Sequence, residues 1–293
     1  MKWLLLATVA AKVSWFPLPD GFDQSKPDEI LPLIQRDAEA KREEIPFQAV
    51  YVFGDSCCDT GNQFAQSKQT MPNPKFYWRG RFSNGPIWPD YLQVQNNVNM
   101  INYAHGGATI NSANFNHGDD VPDFERQFVS FKNSQRLPGP KQVALIDFVG
   151  NDLLGKQVSA AGVAADMERV MQRMVDETDL RNFLVMLTPV EDYHRLGFNY
   201  AIKAMVERFT VKNRPLNVHA YSLPLMDFYT RLRTTVPPRL KYWKSGSCFN
   251  QFTGLMCPDP GNHFKYDLYH IGTLANHATA NYIASEIRAR WNP

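Results

Sequence analysis

AVYVFGDSCCDTGN, running from Ala49 to Asn62, is the stretch on which the reading of this chain turns. Its first five residues are small, β-branched or aromatic and have the composition of a buried strand. The run stops at Gly54-Asp55-Ser56, and Asp59, Thr60, Gly61 and Asn62 then supply turn and helix-cap formers. In an open parallel sheet ligands bind outside the carboxyl ends of the strands. Ser56 would then stand at the mouth of a site, carried by a rigid strand. An ordinary strand-to-helix turn has the same local appearance, so the rest of the chain has to decide.

Outward from this strand, the chain shows the same rhythm repeatedly. Val98–Ala104, Val143–Val149, Phe183–Leu187 and Asn217–Tyr221 are further apolar runs, and each ends in a turn-forming or Pro-containing segment. Helical spacing of apolar residues marks Ile87–Leu92, Phe124–Phe131, Ser159–Glu177, the stripe Phe198, Ile202, Met205, Val206 and Phe209, and a last helix over Thr273–Arg290. The Val163, Met167, Val170, Met171 and Met174 stripe reads as core packing. Strands alternating with helices in this way predict βαβ units and a parallel sheet covered on both faces. No internal repeat or linker interrupts residues 48–293, which are expected to form a single domain. Residues 12–47 form a polar lead-in, with one amphipathic helix expected over Asp28–Glu44.

The chain has 293 residues, 44% of them hydrophobic and 20% charged, ordinary values for a globular protein. A formal net charge of +2 gives no electrostatic case for nucleic acid or an anionic membrane. Met1-Lys2 followed by the apolar run Trp3 to Ala11 fits a secretory signal peptide over residues 1–11, too short to span a bilayer. Export places the protein in an oxidising compartment. There Cys248 and Cys257, which bracket a short loop, suit a disulfide, whereas the neighbours Cys57 and Cys58 rarely bond to each other. No spacing among the four cysteines suggests zinc.

Three of the expected strands end in turns that carry Ser56, then Gly106-Gly107, then Asn151. In a parallel sheet these turns share one edge. A hydroxyl, a glycine N–H that a ligand can approach and a carboxamide can therefore converge there, as a nucleophile and an oxyanion site require. The general base must come from the seven histidines. His270 lies three residues after Asp267 and just before the last helix; an Asp so placed can accept from Nδ1–H and leave Nε2 free to take a serine proton. His263 and His277 are rivals, His105 could line the site, and His117, His194 and His219 have no acid placed to serve them.

Taken together, GDS with DTGN after a strand, NYAHGGA, VGND and DLYH before the last helix resemble the four blocks of the GDSL (SGNH) hydrolase family. GRFSNGPIWPDYL (Gly80 to Leu92) and the cysteine pair ahead of DLYH resemble its bacterial secreted phospholipase, lysophospholipase and glycerophospholipid:cholesterol acyltransferase branch. The resemblance implies an α/β fold, a flavodoxin-like three-layer sandwich on a five-stranded parallel sheet. It implies Ser56 as nucleophile and oxyanion donor, Gly107 as second donor with Gly106 the near alternative, Asn151 as third donor, and Asp267 and His270 as the rest of a triad. The chain departs from the family pattern at Cys57, Tyr266 and Ile271-Gly272. Only eight residues separate the cysteines, which weighs against sterol acyl transfer more than against hydrolysis.

The expected function is that of a secreted serine ester hydrolase acting on lipid acyl esters, a lysophospholipase or phospholipase A, with acyl transfer as a variant of the same step. No metal or organic cofactor is implied. The partners implied are a lipid or other acyl-ester substrate and a transient contact with a membrane or micelle surface. The alternatives are a carbohydrate acetylesterase of the same fold and a catalytically inactive binding module. GxSxG, HExxH, Walker A and GxGxxG are absent from the sequence.

Overall fold

Each of the five apolar runs forms a strand, and together they make one parallel sheet. In the computed structural model, which describes residues 25–41, 44–115, 120–134, 141–148, 150–154, 158–188, 193–235 and 246–291, these are β1 (Ala49–Gly54), β2 (Asn99–Asn102), β3 (Gln142–Asp147), β4 (Asn182–Leu187) and β5 (His219–Pro224). Their order is β2-β1-β3-β4-β5, with every pairing parallel. The expected leader over residues 1–11, Val149 and His117 lie outside the described residues.

Alternation along the strands explains the three layers. Val50 and Val52, Val143 and Leu145, and Leu184 and Met186 face one side of the sheet. There they meet α1 (Pro27–Lys41), α3 (Trp88–Asn96), α7 (Leu225–Thr235) and α8 (Thr273–Trp291). Tyr51 and Phe53, Ala144 and Ile146, and Phe183 and Val185 face the other side and pack on α4 (Phe124–Asn133), α5 (Ala160–Glu177) and α6 (Tyr193–Asn213). A strand buried on both faces needs apolar residues of both parities, which is why β1 reads as a continuous run rather than an alternation. The methionine stripe of α5 is buried throughout, as core packing requires.

Several ends differ from the sequence reading. β5 begins two residues later than expected because Asn217 adopts φ 57° at the end of a short 3-10 turn over Arg214–Leu216. The sequence reading omits α7, although its buried Leu225, Phe228, Tyr229 and Leu232 recur at helical spacing, and the short helix α2 (Asn62–Gln66), whose five residues are too few to show a period. A small antiparallel hairpin, β6 (Phe249–Asn250) with β7 (Leu255–Met256), lies between the cysteines. From the polar lead-in, α1 buries Ile30 and Ile34 in the same core as α3 and α8. No helix among the described residues is long and apolar enough to cross a membrane.

Candidate active site

The site is assembled at the carboxyl edge of the sheet, beginning with the turn after β1. Gly54 is obligatory there because a Cβ would stand 2.3 Å from the Asp147 carbonyl oxygen and 2.4 Å from the Cys58 sulfur. Its backbone is clamped by Gln127, which accepts from Gly54 N at 2.9 Å and donates to Gly54 O at 2.9 Å. The chain then turns tightly, with Cys57 N donating to Asp55 Oδ1 at 3.0 Å and Cys58 N to Asp55 O at 3.2 Å. This turn presents the Ser56 hydroxyl at the rim while Asp55 and Cys58 are buried. Burial, followed by the nearby Asp147 and Asp55 carboxylates, pushes the Cys58 thiol well above its ordinary range.

Asp59 ties this turn to the next one. Its carboxylate caps α2 by accepting from Gly61 N, Asn62 N and Gln63 N at 2.8, 2.6 and 3.0 Å. The same group accepts from Gly106 N at 2.8 Å. Asn62 Nδ2 donates to the carbonyls of Asn102 and Ala104, and Asn102 Nδ2 donates to Cys58 O at 2.7 Å. The turn after β2 is thereby fixed beside Ser56. Gly106 N–H is spent on Asp59, whereas Gly107, at φ 78°, has its N–H on no acceptor among the described residues. The Ser56 N–H is in the same position.

The third turn carries Asn151, whose Nδ2 donates to Ala108 O at 2.8 Å. A carboxamide has two N–H donors, so one remains for a ligand. Asp152 braces this turn against the glycine turn, accepting from Ile110 N, Asn111 N and Asn114 Nδ2.

From the other end of the chain comes the acid–base pair. His270 Nε2 lies 2.7 Å from Ser56 Oγ, and His270 Nδ1 lies 2.8 and 2.7 Å from the two oxygens of Asp267. With its Nδ1–H on the carboxylate, the imidazole turns an acceptor toward the serine. Asp267 is buried and also accepts from Tyr269 N and His270 N, at 2.8 and 2.7 Å, and from the Tyr77 hydroxyl at 2.7 Å. Burial by itself would raise its pKa. The His270 charge and the donors from His270, Tyr77 and Tyr269 outweigh that and hold the carboxyl below its usual value. Burial, and then the neighbouring Asp267, push the Tyr77 phenol well up, so it stays a donor.

The segment Gly80–Leu92 explains itself here as a brace. Ser83 Oγ donates to Ile271 O at 2.9 Å, Thr273 N donates to Asn84 Oδ1 at 2.9 Å, and Thr273 Oγ1 donates to Pro86 O at 2.8 Å. The Phe82 ring packs on the His270 imidazole with centroids 5.0 Å apart. Arg81 holds the segment's shape through a two-point ion pair with Asp90, at 3.2 and 2.6 Å. These contacts fix the entry to α8 and therefore the height of His270.

Of the rival histidines, His277 meets Gln95 Nε2 at 3.0 Å and packs edge-on against Tyr91, and His219 meets Asn217. His105 binds Gly106 O and Gln66 Oε1, and so buttresses the glycine turn. Sequence reasoning missed Tyr77. It sits in a loop 190 residues from Asp267 and carries no local signal. Cys248 and Cys257 form a disulfide. Their sulfurs and a His263 nitrogen lie within 4.8 Å of one another, but both sulfurs are consumed in the bridge, leaving one imidazole, too few ligands for a metal.

Comparison with known proteins points to one family. The profile of the family described as GDSL-like Lipase/Acylhydrolase matches residues 50–283. The chain is 26% identical over 200 residues to the thermolabile hemolysin of Vibrio parahaemolyticus, a match covering 63% of this chain and 46% of that protein. It is 33% identical over 81 residues to a phosphatidylcholine-sterol acyltransferase of Aeromonas hydrophila, covering 27% and 24% of the two chains. The chain thus spans less than half the length of these curated relatives. Among solved structures, a family two carbohydrate esterase from Clostridium thermocellum superposes with TM-score 0.52 at 11% identity, over 85% of this chain and 66% of that one, a likeness of fold. The family profile takes in the turn that carries Ser56 and the turn that carries His270, and the chain, with its five-stranded parallel sheet, belongs to the GDSL-like lipase/acylhydrolase family.

Proposed function

We propose that this enzyme is an exported serine hydrolase of lipid acyl esters, a lysophospholipase or phospholipase A, with Ser56, His270 and Asp267 as its triad. The observation that carries the reading is the continuous chain of hydrogen bonds from Ser56 Oγ through His270 to a buried Asp267. Ser56 Oγ attacks the ester carbonyl carbon while His270 Nε2 takes its proton. The carbonyl electron pair moves to oxygen, and the resulting oxyanion is held by the N–H groups of Ser56 and Gly107 and the remaining N–H of Asn151. Such donors act mainly in the transition state. Collapse breaks the ester C–O bond, and His270 returns its proton to the departing alkoxide. Water then attacks the acyl-serine, with His270 again as base, to release the acid and free Ser56. An acceptor alcohol in place of water gives acyl transfer instead.

Asp267 orients the imidazole and stabilises its cationic form without itself taking the proton. Gly107 is preferred to Gly106 because the Gly106 N–H already serves Asp59. The lipid assignment is supported by the exposed apolar side chains of Leu268 and Tyr269 beside the base, and by relatives named as a hemolysin and as a phosphatidylcholine-sterol acyltransferase. Export is supported by the leader-like start of the sequence and by the Cys248–Cys257 bridge.

The test pairs Ser56→Ala with the wild type. The wild type should react with a fluorophosphonate probe and release fatty acid from lysophosphatidylcholine and long-chain esters faster than acetate from acetylated sugars. Ser56→Ala should do neither while melting at the wild-type temperature. Turnover retained by the folded variant would overturn the nucleophile, and a preference for sugar acetates would overturn the lipid assignment.

A further inference from the structure

The tip of the hairpin β6–β7 exposes large apolar side chains and carries no charge. Phe252, Leu255 and Met256 are 80%, 70% and 40% exposed, and Leu268 and Tyr269, in the turn between Asp267 and His270, are 51% and 54% exposed. Large apolar side chains exposed at a rigid tip cost solvation without adding to the fold, and a cluster of them marks an interaction surface. Between Gly246 and Pro258 the sequence has no ionisable side chain.

The tip is held in shape from within. The Cys248–Cys257 disulfide closes its base, Gly254 N donates to Asn250 O at 2.8 Å, and Asn250 Oδ1 accepts from Phe252 N and Thr253 N at 3.0 and 3.1 Å. The hairpin is also rooted in the site. Cys248 N donates to Lys265 O, and Phe249 N donates to Tyr266 O at 2.6 Å, the residue before Asp267. The buried Phe249 ring stacks on Phe76 and Tyr266, with centroids 4.6 and 5.8 Å apart. The tip and the acid–base turn therefore move as one piece.

We propose that Phe252, Leu255 and Met256, together with Leu268 and Tyr269, form the face by which the enzyme rests on a zwitterionic phospholipid surface; this rests on the lipid-ester reading. The charge pattern selects the occupant. An anionic surface calls for clustered Lys or Arg at the contact, whereas among the described residues the nearby ionisable side chains lie at the root: Asp259, Lys265, and Lys75 over the Phe76 ring at 5.2 Å. A tip already ordered loses little conformational freedom on insertion.

The experiment uses full-length protein carrying Ser56→Ala, so that vesicles stay intact, with and without Phe252→Ser and Leu255→Ser. Flotation with dioleoylphosphatidylcholine vesicles should show binding that is unchanged between about 0.1 and about 0.5 M salt. The double substitution should lower it by at least about tenfold, since two large apolar side chains no longer leave water. Both substituted positions are exposed, so melting temperature should hold. In the enzyme with Ser56 intact, the same double substitution should lower the ratio of vesicle hydrolysis to monomeric-ester hydrolysis. Three results would overturn the assignment: vesicle binding that survives the double substitution, binding that requires anionic lipid and fails at high salt, and a dimer in sedimentation velocity that the double substitution dissolves. The lipid-ester reading has a separate failure, no fatty acid released from phosphatidylcholine by the wild type, which flotation does not measure.

Discussion

Replacing Tyr77 by Phe removes one oxygen from the site and is expected to cost about tenfold in kcat. The hydroxyl donates to Asp267 Oδ2 at 2.7 Å; without it that oxygen keeps only His270 Nδ1, whereas Oδ1 keeps the N–H groups of Tyr269 and His270. A hydrogen bond to a charged group contributes roughly 1.5–3 kcal/mol, which fully expressed in the transition state is about tenfold to a hundredfold. Because Asp267 retains three other donors, the lower end is expected. The ring itself stays seated against Phe82, Phe249 and Tyr266, with centroids 5.9, 5.7 and 5.5 Å away, so the loop should remain folded.

Tyr77→Phe also has a signature in pH. The folded Asp267 carboxyl is held below its ordinary value, against burial, by the His270 charge, by donation from His270 and by Tyr77. A depressed carboxylate contributes stability that is present above its unfolded pKa and lost as pH falls through the folded one. Removing a donor raises the folded value, so acid unfolding should begin at higher pH in the variant. The assay is kcat and KM on a monomeric ester across pH, with circular dichroism of the acid transition. KM should barely move, since Tyr77 touches Asp267 rather than substrate. A kcat within about twofold of wild type, together with an unmoved acid midpoint, would refute the reasoning.

Asn151→Ala should lower kcat by about a hundredfold or more with little change in KM, as loss of an oxyanion donor does; steady-state kinetics on a monomeric ester checks it, and an unchanged kcat removes Asn151 from the hole. Reducing the Cys248–Cys257 bridge, or Cys248→Ser, should cut activity more than melting temperature, because the hairpin is hydrogen-bonded to Tyr266 beside Asp267 while the sheet core lies elsewhere; paired thermal melts and rate measurements decide between this and a merely structural bridge. Burial raises the Asp147 carboxyl to about 6, partly offset by donation from Trp88 Nε1 at 3.0 Å. A raised carboxyl contributes its stability at low pH and loses it as pH rises toward the folded value, so Asp147→Asn should gain about 3 kcal/mol above pH ~7 and nothing below pH ~4. Denaturant melts at the two pH values test the sign.

Much of this architecture was legible because burial leaves a compositional trace. Strands covered on both faces had to be apolar throughout, and β1, β3 and β4 could be read within a residue or two. The convergence of the Ser56, Gly106-Gly107 and Asn151 turns and the pairing of Asp267 with His270 were legible because strand ends in a parallel sheet share one edge and an acid three residues before a histidine can reach its Nδ1. Tyr77 was not, since its partner is 190 residues away and nothing nearby in the chain marks it. The choice between Gly106 and Gly107 stayed open in the sequence because it depends on the Asp59 side chain reaching across to one N–H and not the other. The hairpin β6–β7 was hidden for a different reason. Two-residue strands carry no periodicity, and this pair is held by a covalent bridge rather than by pattern.

The brace between the Gly80–Leu92 segment and the start of α8 also sets an order of events during synthesis. Ser56, Tyr77, Ser83 and Asn84 leave the ribosome long before Asp267, His270, Ile271 and Thr273, and each of the later groups completes a bond begun by an earlier one. A chain that ends before α8 keeps Ser56, Asp267, His270 and the six other helices that flank the sheet, but loses the Thr273 bonds to Asn84 and Pro86 that fix the turn carrying His270. Truncation within that helix is therefore expected to leave His270 in the chain while weakening the brace that holds it at Ser56.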